Sequence, residues 1–215
     1  MGKLDGKVAL VVGGGSRFGQ AVALALAREG ATIAVGCGDE ASGCAATALV
    51  AAEGGTATHV LMDPTEGTSV AAAFEQALAA HSRIDVVVTR VVAPPRAPKP
   101  IEELTEQDWS DAARHVVRAA ALPLGQAVKA MKPRGAGSVV VVGSSAGTGE
   151  PGMALHATPS AALVTLTKAA AAELAGTGVR VNLVALGRGV TGEQAAPTIV
   201  ELAVGETSGE IVQVG

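Results

Sequence analysis

KVALVVGGGSRFGQAVALALAREGA, running from Lys7 to Ala31, decides the fold. Lys7–Val12 is a short β-branched run that ends in glycines, which reads as a buried strand. Phe18–Glu29 then carries an alanine-rich face at helical spacing, and Gly30 stops it. Between them lies Val12-Gly13-Gly14-Gly15-Ser16-Arg17-Phe18-Gly19. Glycines in such a turn let a phosphate approach the backbone at a helix N-terminus. The turn alone is a weak signal. Its place between the first strand and the first helix strengthens it.

The alternation continues outward from that stretch. Ala31–Val35, Ala57–Leu61, Ile84–Val88, Ser138–Val142, Val179–Ala185 and Glu210–Val214 read as further strands. Asp39–Glu53, Glu66–His81, a helix from a Thr105 N-cap to about Met131, Met153–Ala175 and a short Pro197–Val204 read as helices. Pro123 is expected to kink or split the helix that contains it. Pro94-Pro95, with Pro98 and Pro100, marks a loop. Strands that are near-continuous apolar runs belong in a parallel sheet covered on both faces. With no linker, repeat or low-complexity tract, residues 1–215 read as one doubly wound α/β domain.

Composition narrows the function. The chain has 215 residues, 48% hydrophobic and 17% charged, enough to bury a core and too apolar for disorder. A net charge of -4 without a basic cluster excludes nucleic acid as a partner. The aromatics are Phe18, Phe74 and Trp109, and tyrosine is absent, which excludes any mechanism that needs a phenol. It also argues against base-stacking platforms and aromatic cages. Cys37 and Cys44 are no disulfide framework and read as small buried thiols. His59, His81, His115 and His156 show no paired ligand spacing, so no metal site is expected. Met1–Val8 holds no signal core and no apolar run approaches ~20 residues, so the expectation is a cytoplasmic protein without membrane contact.

KVALVVGGGSRFGQAVALALAREGA, IDVVV, GSVVVVGSSAG and LTKAAAAELAGTGVRVNLVALGRGVT resemble the short-chain dehydrogenase/reductase family in order and spacing. The likeness runs from about Leu4 to Thr191 and resumes at Ser208–Val214. It implies a Rossmann-like, seven-stranded parallel sheet in the order 3-2-1-4-5-6-7 with helices on both faces. It also implies a nicotinamide cofactor and a Ser-Tyr-Lys group assisted by an Asn. On that resemblance Ser144 keeps the serine position, but the tyrosine position holds His156 and the lysine position Ser160. The Asn position falls on Val116. Lys168 lies twelve residues beyond His156, roughly 18 Å along a helix, and cannot replace a lysine at Ser160.

The cofactor positions depart as well. Gly13 and Gly19 are kept, but the family's second turn glycine is Arg17, whose side chain is expected at or in the pyrophosphate space. The family's Asn-Asn-Ala-Gly is Thr89-Arg90-Val91-Val92, and Gly36-Cys37-Gly38 offers nothing to select NAD from NADP. Asp63 survives at the adenine-contacting position, followed by Pro64, which has no N–H to give. The family's Pro-Gly after the sixth strand is Leu186-Gly187. After Thr191 only Gly192–Ala196 precedes the last short helix, so the substrate lid that the family carries there is expected to be shortened.

Plain readings stand beside the sharp ones. The glycines could serve only the tight turn. Arg17 could bind an anion or lie solvated, and Ser144 could be an active hydroxyl or a strand-end cap. His156 could be a general acid or base, or could fill the vacated tyrosine space. Arg90, Arg114, His115 and Arg118 read as surface or interface residues. The leading expectation is a pseudoenzyme with no bound NAD(P)(H), or weak binding at Gly13, Gly19 and Asp63. It would assemble with itself or an active paralogue through helices 105–131 and 153–175, since the family pairs through those helices. The alternatives are a non-redox acid/base enzyme using Ser144 and His156, and a divergent NAD(P)-dependent oxidoreductase.

Overall fold

The computed structural model describes residues 2–91, 98–145 and 150–215. The Pro94-Pro95 loop expectation lies outside the described residues. Strands β1 (Val8–Val12), β2 (Thr32–Cys37), β3 (Ala57–Leu61), β4 (Val86–Arg90), β5 (Gly137–Ser144), β6 (Val179–Leu186) and β7 (Ile211–Val214) form one sheet. Its order is β3-β2-β1-β4-β5-β6-β7 and every neighbouring pair is parallel. The expected seven-stranded doubly wound sheet is therefore present. Helices α1 (Arg17–Arg28), α2 (Glu40–Ala52), α3 (Gly67–His81), α4 (Glu106–Ala112), α5 (Ala119–Met131), α6 (Ala154–Glu173) and α7 (Gly192–Val204) cover it.

Two apolar layers explain why the strands read as unbroken runs. Alternate strand residues face opposite sides. Leu10, Val87, Val139, Val141 and Leu183 pack with Phe74, Leu124 and Leu163 from α3, α5 and α6. Ala9, Val11, Val88, Val140 and Val184 pack with Val22, Leu26, Val50 and Ile199 from α1, α2 and α7. Both sides of the inner strands β1, β2, β4, β5 and β6 are largely buried, so their residues are mostly apolar. The edge strand β7 is held by Asn182, whose side-chain amide donates to the Thr207 carbonyl at 2.9 Å and accepts from the Glu210 N–H at 3.0 Å. Among the described residues no helix is long and apolar enough to cross a membrane.

The structure differs from the expectations in three places. First, α7 begins at Gly192, not Pro197, because Thr191 and Gln194 form a reciprocal capping box that starts the helix directly. Second, Pro123 lies inside α5, and the helical path is not split there. The irregularity comes earlier, as a widened turn over Ala113–Arg118, with the Ala119 N–H reaching back to the Arg114 carbonyl. Third, β4 ends at Arg90, two residues beyond the expected end. Its ladder with β5 runs from Val86 beside Ser138 to Arg90 beside Val142. That extension carries Arg90 into the functional end of the sheet.

Candidate functional site

In an open parallel sheet, ligands bind at the carboxyl ends of the strands where the strand order reverses. Here that point lies between β1 and β4. Gly13 follows β1, Arg90 ends β4, Ser144 ends β5 and Gly187 follows β6. A cleft of about 640 Å³ is lined by Arg90, Ser144, His156, Ser160, Gly187 and Arg188, among others. The fold thus brings Ser144, His156 and Ser160 together, as the resemblance implied. A larger groove of about 820 Å³ lies between α1 and α7, away from these strand ends, with Leu24, Ala196, Pro197 and Val200 in its walls.

His156 is half-buried in the first turn of α6, and Ser160, one turn on, is buried. Ser144 is exposed. No hydrogen bond joins Ser144 to His156 among the described residues, so the pair lacks the contact by which a base activates a hydroxyl. Val116, within the widened turn, is buried in the apolar core and brings no polar atom to the cleft. Lys168 is exposed and absent from the cleft lining.

On the other side of Arg90, Gly13, Cys37, Gly38, Asp63, Pro64 and Ser69 help to line a cavity of about 430 Å³. Gly13 needs its freedom, with φ at +75°. Gly19 is required for another reason: a Cβ there would overlap the Gly13 carbonyl, so its role is close packing of α1 against the turn. Ser16 caps α1, accepting from the Gly19 N–H at 3.1 Å and donating to the Gly13 carbonyl at 2.7 Å. Asp63 is folded back. Its Oδ1 accepts from the Thr65 N–H and hydroxyl, both at 2.8 Å, and the backbone bond above all holds its carboxyl below the usual range. Cys37 is buried as expected, and burial raises its thiol pKa, with Asp39 nearby adding to the shift; Cys44 is exposed on α2, against the expectation of two buried thiols.

The arginine expectations divide. Arg17 is exposed and lines a rim cavity of about 390 Å³ with Ser16, Phe18, Arg90, Thr191 and Glu193. It does not line the cavity around Gly13 and Asp63. Arg114 and Arg118 do lie outward, pairing with Glu66 at 2.9 Å and 3.7 Å. Arg90 is no surface residue. It is half-buried, and its guanidinium lies 4.5 Å over the Phe18 ring. Its Nε is buried without a hydrogen-bond partner, and burial pulls its pKa down. Sequence reading missed it because an arginine just after an apolar run has no visible depth. The sign that could have found it was its place in the family's Asn-Asn-Ala-Gly segment.

One grouping was invisible to spacing. Glu40 and Cys44 on α2 and His59 on β3 bring one potential ligand atom each within 4.8 Å of one another. His59 and Glu40 already share a 2.8 Å hydrogen bond.

The comparisons with known proteins agree with this architecture. The short chain dehydrogenase family profile matches residues 7–198. The chain belongs to the short-chain dehydrogenase/reductase family. It is 33% identical over 187 residues to a 3beta-hydroxysteroid dehydrogenase of Mediterraneibacter gnavus, covering 86% of this chain and 66% of that protein. It thus spans just under two thirds of that relative's length. A short-chain dehydrogenase/reductase structure from Burkholderia xenovorans superposes with a TM-score of 0.91 at 29% identity, over 100% of this chain and 96% of the other. The 3-ketoacyl-(acyl-carrier-protein) reductase of Brucella melitensis, solved with NADH, shares the fold with a TM-score of 0.89 at 24% identity, over 98% of this chain and 97% of the other.

Proposed function

We propose that this chain is a family member that has kept the fold and lost hydride transfer, and that it serves as a non-catalytic subunit. The observation that carries the reading is the content of the cleft. The cleft holds His156 and Ser160, which the family resemblance puts at the tyrosine and lysine positions, and a half-buried arginine stands between the cavities at Gly13 and Ser144. The dinucleotide of the family would have to run past Arg90, with Asp63 tied to Thr65. These residues fit a nicotinamide dinucleotide poorly, so NAD(P)(H) binding is absent or weak in this reading.

Assembly is the remaining role. Thr158, Ala161, Thr165, Ala169 and Ala172 are exposed along one side of α6, and small residues there allow close helix approach. Trp109 on α4 is 37% exposed. The proposed partner is a second copy of this chain or an active paralogue, docked on the 105–131 and 153–175 helices. The test is light scattering of the purified chain, alone and mixed with a catalytically active family member from the same genome, together with NADH and NADPH oxidation assays. A dimer or mixed oligomer without turnover supports the proposal. A monomer that captures no paralogue, or turnover by the chain alone, defeats it.

A second reading is favoured by the shared cleft of Ser144 and His156: a non-redox acid/base enzyme. Any activity found should then vanish in His156→Ala, and survival of full activity in that variant ends this reading.

A further inference from the structure

The charges around the cleft are unequally satisfied. None of the acids that line the cavities touching Arg90 pairs with it. Glu150 pairs with Arg188 at 3.7 Å. Asp63 is held by Thr65. Glu193 stands at the N-terminus of α7, whose first-turn N–H groups and the Arg17 charge hold its carboxyl below the usual range. Arg90 has no ion pair and no hydrogen bond among the described residues, and its Nε is buried. A half-buried cation without a counter-ion is costly, and natural interiors pair such groups.

Its surroundings point the same way. Arg90 is held over Phe18, which fixes the plane of its fork. It lines three adjoining cavities, of about 390, 640 and 310 Å³. The first also receives Ser16 and Thr191, the N-caps of α1 and α7, whose helices run 12 and 13 residues. The helix ends strengthen an attraction that Arg90 already creates.

The geometry points to a site for a single small oxyanion: a phosphate monoester or carboxylate on a compact organic group, bound by Arg90 in place of a dinucleotide. A planar guanidinium fork meets either oxyanion with two parallel hydrogen bonds. The organic part would lie in the cleft beside Ser144, His156 and Ser160. This inference rests on the reading that hydride transfer has been lost.

The experiment uses the full chain, in thermal melts and calorimetric titrations with inorganic phosphate and with acetate, balanced against sodium chloride at constant ionic strength. Wild type, Arg90→Met and Arg90→Lys are compared. In wild type, phosphate or acetate should raise the melting midpoint beyond the chloride control. The stronger of the two assigns the oxyanion. Affinity should fall about tenfold or more in Arg90→Met, a loss of roughly 1.4 kcal/mol or more. Arg90→Lys, which keeps the charge without the fork, should fall between. Arg90→Met should melt no lower than wild type in chloride, because it removes an unpaired charge and keeps an apolar contact with Phe18. No response of wild type beyond chloride overturns the inference, as does an unchanged response in Arg90→Met. Micromolar NADH binding with turnover would instead overturn the reading beneath it, so the two failures are distinguishable.

Discussion

The two ends of the sheet treat buried charge in opposite ways. At the amino end, Asp85 is 7% exposed, accepts from the Val8 N–H at 2.9 Å and pairs with Arg83 and Arg134 at 2.6 and 2.8 Å. At the carboxyl end, Arg90 is half-buried with no acid against it among the described residues. The same chain can satisfy a buried charge completely when the charge only holds β1, β4 and the end of α5 together. Leaving one unmet at the other end marks that end as the place where something external completes the site.

The largest expected effect breaks the satisfied end. Asp85→Ala strands two arginines and a backbone N–H, and should cost about 3–5 kcal/mol in urea unfolding. A cost near zero would mean that the cluster is ornamental and that the contrast between the two ends is false. The same group sets an acid limb. Burial alone would raise the Asp85 pKa, but the hydrogen bonds from Arg83, Arg134 and Val8 outweigh it and hold it at about 2, against 3.8 unfolded. A depressed folded pKa gives stability that is present above the unfolded value and lost as the pH falls. Wild type should therefore lose about 2 kcal/mol between pH ~4 and ~2, and Asp85→Asn should lose this limb.

A smaller effect sharpens the reading of the glycine turn. Gly19→Ala should cost about 1–3 kcal/mol through overlap with the Gly13 carbonyl, and it should do so whether or not any anion is present. A variant of unchanged stability with weakened anion binding would make Gly19 a ligand cradle instead. The smallest effect lies beside Arg90. The Thr89 hydroxyl is buried without a partner, so Thr89→Val should be neutral or stabilising by up to about 1 kcal/mol in thermal melts. Clear destabilisation would show that this hydroxyl is satisfied and that the carboxyl end is better paired than described.

Much of this was legible in the sequence. Apolar runs that are buried on both sides announce a parallel sheet, and the family resemblance assigned Ser144, His156 and Ser160 to positions that the fold brings to one cleft. What was missed depends on depth or on contacts across the fold. The end of β4 was lost because Thr89 and Arg90 are polar, although the ladder with β5 continues through them. The start of α7 was lost because Pro197 looked like a first-turn proline, while the Thr191–Gln194 box lay unread upstream. The closeness of Glu40, Cys44 and His59 exists only once β3 pairs beside β2 and α2 packs over them.

The central claim is that the fold has outlived its hydride chemistry. Calorimetric titration of the full chain with NADH and NADPH up to millimolar concentration tests it most directly. The account predicts no saturable binding below the millimolar range for either cofactor. Stoichiometric binding in the micromolar range would contradict it, and would mean that the glycine turn still receives a dinucleotide past Arg90.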